Sequence, residues 1–262
     1  MNLAPPRVGR LAGKTAIVSA AAGAGLGQAT ARRFAQEGAN LVLTDAHARR
    51  SEEAASRIAA ESGSEVLACR VDVREQHDID ACVQAAIARF GRIDILVNNA
   101  GINRPGKLWE TSDADWDEVL GVNLTGTFRF TRAVLPHMIA ARSGAILNVA
   151  SIGAWNSNLG GPAQAAYAAA KAGVMAFTRA TAAEAGPHGV RANAIAPGLI
   201  GNAFHEKTYD ASWLQAKAAD TVLGRVGRND DFTGAAVFLC SDEAGFVTGE
   251  SMSLSGGWYM HP

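Results

Sequence analysis

Along this chain, apolar and polar positions fall into alternating blocks. KTAIVSA (14–20), ANLVLTD (39–45), EVLACRVDV (65–73), RIDILVNNAG (92–101), GAILNVAS (144–151) and GVRANAIAPG (189–198) are short runs rich in Val, Ile and Leu that close on small or polar residues. Such runs fit parallel strands buried on both faces. Between them, GQATARRFAQEG, RSEEAASRIAAESG and QHDIDACVQAAIARFG carry helical spacing. Gly38, Gly63 and Gly91 follow these segments, where a left-handed C-cap favours glycine. The alternation predicts an α/β chain with a Rossmann fold, a doubly wound parallel sheet of about seven strands with helices on both faces. No repeat, linker or composition break interrupts it, so one domain is expected over residues 10–262, after a flexible arm at 1–9.

Composition narrows the function classes. A chain of 262 residues, 48% hydrophobic and 19% charged, is long enough for one substantial core. Its net charge of −1 gives no electrostatic footprint for nucleic acid, and no basic cluster points to an anionic membrane. Its apolar stretches are shorter than the roughly 20 residues of a transmembrane helix, and MNLAPPRVGR lacks the apolar core of a secretory signal. The 3 cysteines (Cys69, Cys82 and Cys240) have no CxxC spacing, which implies reduced thiols and a cytoplasmic setting. The 6 histidines form no ligand motif, so no metal is expected.

The first strand runs into VSAAAGAGLG (18–27), whose glycines precede a helix starting near Leu26. Gly23, Gly25 and Gly27 would let backbone approach a pyrophosphate at that helix's N-terminus. A strict GxGxxG is absent, and a plain strand-to-helix turn is the competing reading. Asp45 ends the second strand, where a carboxylate can accept both hydroxyls of an adenosine ribose and repel a 2′-phosphate. That favours NAD over NADP. The alternative for Asp45 is a helix N-cap. Arg49 and Arg50 could pair with a 2′-phosphate, or be solvated helix charges.

VDV (71–73), NNAG (98–101), VNLTG (122–126), NVAS (148–151), YAAAK (167–171) and RANAIAPG (191–198) then follow in order. With LCSDEAGFVTG and SGG near the end, the chain from about residue 11 to 257 resembles the compact single-domain branch of the short-chain dehydrogenase/reductase family. The resemblance implies that Asp72 contacts the adenine amino group and that Val73 supplies a backbone partner. It places Asn98, Ala100 and Gly101 along the cofactor and beneath the central sheet, although Asn98 and Asn99 could be simple turn residues. Pro197 and Gly198 would face the nicotinamide, and the Ile200 amide its carboxamide. The catalytic set it implies is Asn123, Ser151, Tyr167 and Lys171. It also implies a homotetramer (or homodimer).

The chemistry follows from the residue types. Tyr167 and Lys171 lie at i and i+4 on one helix face. A phenol is a weak base at neutral pH, and an ammonium beside it is expected to lower its pKa. Lys171 can also donate to the nicotinamide ribose. Ser151 would hydrogen-bond the substrate oxygen as charge develops. Asn123, within a helix, would bond to backbone, disturb the ladder and hold a water for proton relay.

Three departures stand out. Against the family's TGxxxGxG, Ala21 replaces the first glycine if the helix start is aligned. Aligning the strand instead makes Ser19 and Ala20 the counterparts, with one residue inserted. In either case alanine is expected to avoid left-handed geometry. WNSNLGGP enlarges the loop between Ser151 and Tyr167, and Asn202 stands where the family commonly has threonine. A lid is expected near 200–220, with Trp155, Phe204, Tyr209 and Trp213 giving an apolar site or merely packing locally. Arg104 and Lys107 lie on the same side. The expected substrate is a hydrophobic, alicyclic or steroid-like secondary alcohol, or a hydroxyacyl thioester, with its ketone. A 3-oxoacyl-[acyl-carrier-protein] reductase using NADPH is the second reading, and a non-catalytic dinucleotide sensor or scaffold the third. Trp258 and Tyr259 suit either a partner contact or a tail folded on its own subunit.

Overall fold

The structure, a computed structural model, describes residues 9–156, 164–201 and 210–261. The arm at 1–8, most of WNSNLGGP, and Asn202, Phe204 and Tyr209 lie outside the described residues. Seven parallel strands form one sheet in the order β3-β2-β1-β4-β5-β6-β7. They are β1 (Thr15–Val18), β2 (Asn40–Asp45), β3 (Val66–Arg70), β4 (Ile95–Asn98), β5 (Gly144–Val149), β6 (Val190–Pro197) and β7 (Ser251–Leu254). Six coincide with the apolar runs. The seventh, SMSL, is half polar and short, and has no such signature.

Period-two alternation sends each strand's side chains to two cores. Ala16, Val18, Leu41, Leu43, Ile95 and Val97 pack with Phe34 of α1 (Leu26–Gln36), Ile58 of α2 (Ala48–Ser62) and Phe232 of α8 (Asn229–Cys240). Ile17, Val42 and Leu96 face the other way, onto Ile79 of α3 (Gln76–Phe90) and Phe130 of α5 (Gly126–Ala141). Completely buried rings and aliphatic side chains of this size contribute roughly 1.5–3 kcal/mol each, so the two layers fix the sheet. Gly38, Gly63 and Gly91 have φ of 88°, 69° and 72° and end their helices left-handed, as the sequence suggests.

Between β1 and β4 the strand order reverses, and crossovers leave in opposite directions. Such a switch point opens a crevice at the strands' carboxyl ends. Two further elements overhang it. α4 (Asp113–Leu120) continues through a π-helical turn (Gly121–Thr125) into α5, and α6 (Ala165–Ala185) crosses behind that turn. Gly173 of α6 lets the helices touch: a Cβ there would sit 2.9 Å from Leu124 Cδ2. α7 (Ala211–Ala219) and the tail after β7 complete the rim.

Candidate active site

The crevice holds a cavity of about 660 Å³ at the carboxyl ends of β1, β4, β5 and β6. Gly23, Gly25, Leu26, Gly27 and Asp45 line one end of it. Gly101, Ser151, Tyr167, Lys171, Pro197 and Gly198 line the rest. The sequence-predicted residues therefore converge, with the exceptions given below.

The glycine turn is held from behind. Ser19 Oγ accepts the amides of Asn99 (2.9 Å) and Ala100 (3.0 Å), and Asn99 Nδ2 donates to the carbonyls of Ser19 (2.9 Å) and Ala20 (3.2 Å). This geometry corrects one expectation, because Ala20 is left-handed, with φ of 51°. The strand alignment is thus the structural one, with Ser19 and Ala20 in the threonine and first-glycine places. The left-handed methyl costs roughly 1–2 kcal/mol, which the surrounding hydrogen bonds offset. Gly27 has no room for a side chain: a Cβ would lie 2.4 Å from both Ala20 O and Asn99 Nδ2. At Gly23 and Gly25 a Cβ would meet nothing within 4 Å, so this backbone is open toward the cavity. A dinucleotide pyrophosphate fits such an open, amide-rich helix entry.

Asp45 is not the N-cap of α2, a position taken by His47, although its Oδ1 accepts the His47 amide at 3.1 Å. Its Oδ2 faces the Ala22 amide at 3.4 Å. Burial raises its pKa, and the amides of Ala22 and Ala46 and the charge of Arg50 oppose the rise. Arg49 pairs with Glu53 at 3.1 Å and is largely solvated, whereas Arg50 acts on Asp45.

Several predicted cofactor contacts are not among the residues that line this cavity. Asn98 is buried and donates to Thr131 Oγ1 (3.0 Å) and Asn148 Oδ1 (2.9 Å), tying β4 to β5 and α5. It braces the sheet, and Asn99 is the asparagine that lines the cavity. Ala100 packs against the second core. Val73 is buried against Gly126, while Asp72 is gripped by Arg74, with Nη2 to Oδ2 at 2.7 Å. That guanidinium holds the Asp72 carboxyl below its ordinary range. Ile200 bridges to Gly227, with the bridge bonds made by Leu199 O and the Gly201 amide. Its own amide therefore points away from that bridge, and the residue is among those that line a separate cleft.

At the centre, β5 delivers Ser151 and the first turns of α6 deliver Tyr167 and Lys171. Alanine-rich α6 is a strong helix former and keeps the i,i+4 pair on one face. Ser151 and Tyr167 share a side-chain hydrogen bond. Lys171 is only 3% exposed, donates to Val149 O at 2.6 Å and lies 5.7 Å from the Tyr167 ring centroid. Burial pushes the Lys171 ammonium down to about 8. Tyr167 departs from expectation: burial raises its pKa, opposed by the Ser151 hydrogen bond, and no lowering by Lys171 is visible in the protein alone.

Asn123 lies in the π-helical turn and is completely buried. Its Nδ2 donates to Val119 O and Ile102 O, both at 2.8 Å, so the side chain does compete with the helical ladder. Its Oδ1 has no hydrogen-bond partner among the described residues. A Cβ on Gly101 would fall 2.8 Å from that oxygen and 3.3 Å from Lys171 Nζ, so glycine is what lets the two approach.

Other residues the sequence singled out lie on the rim. Arg104 is turned away to Glu118 at 2.9 Å, and Lys107 to Glu110 at 3.4 Å. Trp258 lines the cavity and Tyr259 stacks on Trp155 at 5.2 Å, so both tail rings pack on their own chain. Ile102, Asn103, Gln164 and Lys217 also line the cavity, and no sequence motif marked them. Among the described residues, no group of His, Cys, Asp or Glu could hold a metal, and no helix is long and apolar enough to cross a membrane.

A switch-point crevice with an open glycine turn, a carboxylate at the end of β2 and a Ser–Tyr–Lys cluster defines a dinucleotide-dependent oxidoreductase. The comparisons with known proteins agree. The family described as "Enoyl-(Acyl carrier protein) reductase" matches residues 20–259. The (5R,7aS)-5-hydroxy-7a-methyl-1-oxo-2,3,5,6,7,7a-hexahydro-1H-indene-carboxyl-CoA reductase of Mycobacterium tuberculosis is 41% identical over 97% of this chain and 98% of its own. The (2S)-[(R)-hydroxy(phenyl)methyl]succinyl-CoA dehydrogenase subunit BbsD of Thauera aromatica is 41% identical over 93% and 96%. A solved structure from Sinorhizobium meliloti 1021, assigned as a short-chain alcohol dehydrogenase, superposes with a TM-score of 0.88 at 34% identity, covering 97% and 98%. The chain belongs to the short-chain dehydrogenase/reductase family, whose members bind NAD(P) and act on CH–OH and ketone groups.

Proposed function

We propose that this enzyme interconverts a secondary alcohol and its ketone on a hydroxyacyl thioester, with NAD as the cofactor. The convergence of Ser151, Tyr167 and Lys171 on one cavity beside the open glycine turn carries the reading. The two relatives named for coenzyme A esters support the thioester.

Backbone around Gly23, Gly25, Leu26 and Gly27 would hold the pyrophosphate, Asp45 the adenosine ribose, and Asp72 and Val73 the adenine. Asn98, Ala100 and Gly101 would support the floor, and Pro197, Gly198 and the Ile200 amide the nicotinamide side. When bound, the nicotinamide supplies or accepts the hydride at the carbinol carbon. Tyr167 Oη gives its proton to the ketone oxygen in reduction and takes it back in oxidation. Ser151 Oγ donates a second hydrogen bond to that oxygen and orients Tyr167. Lys171 Nζ favours the phenolate once it faces the occupied site and can hold the nicotinamide ribose. Asn123 would hold a water between Lys171 and solvent. A homotetramer in a cytoplasmic setting completes the reading.

Asp45 carries the choice of NAD. Asp45→Ala should raise the Kd for NAD about tenfold, by removing charge-assisted hydrogen bonds, and narrow the gap to NADP. A wild-type preference for NADP in paired titrations would overturn the NAD assignment. That result would favour the second reading, a 3-oxoacyl-[acyl-carrier-protein] reductase using NADPH, the reductase for which a 37% identical relative from Chlamydia trachomatis is named. Reduced-nicotinamide absorbance with 3-hydroxyacyl-CoA and simple cyclic alcohols tests the reaction itself, and no turnover of either would reject it.

A further inference from the structure

The cavity's outer wall carries a charge that the chemistry above does not use. Trp213 and Lys217 lie at i and i+4 on α7, so they share a face. Both line the same cavity as Tyr167, together with Trp258 from the tail. Lys217 Nζ stands 5.3 Å from the Trp258 ring centroid, within cation–π range. The remaining charged lining residues are Asp45, at the far end, and Lys171, which is buried and bonded to Val149 O. On the substrate side, Lys217 is therefore the cation available among the described residues.

This wall is built rather than incidental. Gly256 and Gly257, with φ of 64° and 82°, reverse the chain after β7. The hydroxyls of Ser253 and Ser255 donate to Tyr259 O at 2.9 and 3.1 Å, and Ser255 Oγ accepts the Tyr259 amide at 3.1 Å. Tyr259 and His261 lie on Trp155 at 5.2 and 4.8 Å. Clamped this way, the Trp258 indole meets Gly198, where a Cβ would sit 3.5 Å from its ring. Lys217 also reaches Asp220 at 2.9 Å, but that pair is partly solvated, and such pairs contribute roughly 0–1 kcal/mol. An anion can replace Asp220 at little cost.

We infer that Lys217, held against Trp258, is a specificity-determining residue that binds an anionic group on the non-reacting part of the substrate, while Trp213 and Trp258 cover its apolar body. The inference rests on the oxidoreductase reading for the reacting end of the cavity. The anion can be a phosphate of a coenzyme A carrier or a free carboxylate, and both bring negative charge on an apolar tether.

Calorimetric titration with coenzyme A, and separately with hexanoate, tests this on the full chain. One of the two should bind the wild type, identifying the source. Lys217→Gln should weaken that binding about tenfold, the loss of one charge-assisted contact, and Lys217→Arg should restore most of it. Raising salt from about 0.05 to about 0.5 M should erode wild-type binding far more than that of Lys217→Gln. In kinetics, Lys217→Gln should raise KM for an acyl-CoA far more than for the uncharged N-acetylcysteamine thioester, with kcat little changed. Binding of neither anion, equal binding by wild type and Lys217→Gln, or an equal rise in KM for the uncharged thioester would overturn the inference. Lys217-dependent binding without turnover of any alcohol would instead reject the dehydrogenase reading and leave this site standing.

Discussion

Across the cleft, the wall at the glycine turn and the wall at α7 and the tail are made from different materials. The first is backbone. The Ser19 hydroxyl and the Asn99 side-chain amide bond to the main chain of Asn99, Ser19 and Ala20, and with the tight approach at Gly27 they hold the backbone of β1, β4 and the start of α1 together. The second is side chain. Trp213 and Lys217 come from α7 and Trp258 from the tail after β7, and Lys217 Nζ stands over the Trp258 ring where all three line the cavity. A backbone wall can hardly vary without moving the sheet, whereas a side-chain wall can be rewritten residue by residue. The invariant half of a reaction suits the first wall and the choice of substrate the second.

Tyr167 stands at the seam, and its removal should have the largest effect. Tyr167→Phe keeps the ring and its packing but takes away the transferable proton. We expect kcat to fall by roughly 10³-fold, within the range for general acid–base groups, with NAD affinity unchanged in titration. Undiminished turnover would show that neither wall presents its ligand to this phenol.

Gly27 tests the rigidity of the backbone wall. Gly27→Ala drives a methyl into Ala20 O, which cannot retreat without moving the chain that follows β1, and into Asn99 Nδ2, which would give up its bonds to Ser19 O and Ala20 O. Unfolding in urea should show a loss of about 1–3 kcal/mol, the usual cost of overpacking, and dinucleotide affinity should fall about tenfold or more. Wild-type affinity in this variant would mean that the turn gives way as easily as the far wall.

These two walls were unequally legible in the sequence. The strands, helix ends and glycine turn depend on periodicity and local turn chemistry, and nearly all fall within short windows. Ser151, Tyr167 and Lys171 were readable because one strand end and one helical turn place them. Asn98 and Asn99 were harder, since adjacent residues on a strand face opposite ways and only pairing shows which one reaches the cavity. Lys217 fell inside the expected lid and Trp258 among the tail aromatics, yet neither was marked as facing substrate, because a helix lysine and a tail aromatic acquire that meaning only when the fold brings them to 5.3 Å. The left-handed Ala20 ran against its propensity, an override that tertiary hydrogen bonds made and no local rule contains.

Lys171 couples the seam to pH. Its folded pKa of about 8 lies below the ordinary value of 10.5, so the fold favours the neutral amine. Below pH 8 both folded and unfolded chains carry the charge, and the fold bears the cost of burying it. Between 8 and 10.5 the unfolded chain binds more protons, so stability rises with pH. Relative to Lys171→Met, the wild type should gain on the order of 1 kcal/mol per pH unit across that window in denaturant titrations. A flat difference would show that the ammonium is well solvated where it stands.

Ala20 offers the smallest effect and the finest test of the backbone wall. Glycine at this position removes roughly 1–2 kcal/mol of left-handed strain but gives the unfolded chain more freedom, about 0.4–1 kcal/mol. Ala20→Gly should therefore stabilise by about 0–1.6 kcal/mol. Its neighbour Ala21 is completely buried and not left-handed, so Ala21→Gly brings only the entropic loss and a vacated methyl. It should destabilise by about 1 kcal/mol or more. Opposite signs at adjacent alanines, measured in one urea series, would place the strained residue where Ser19 and Asn99 hold it. Equal losses at both would mean that the chain passes this turn without left-handed geometry, and that the first glycine's place in the family pattern belongs to Ala21.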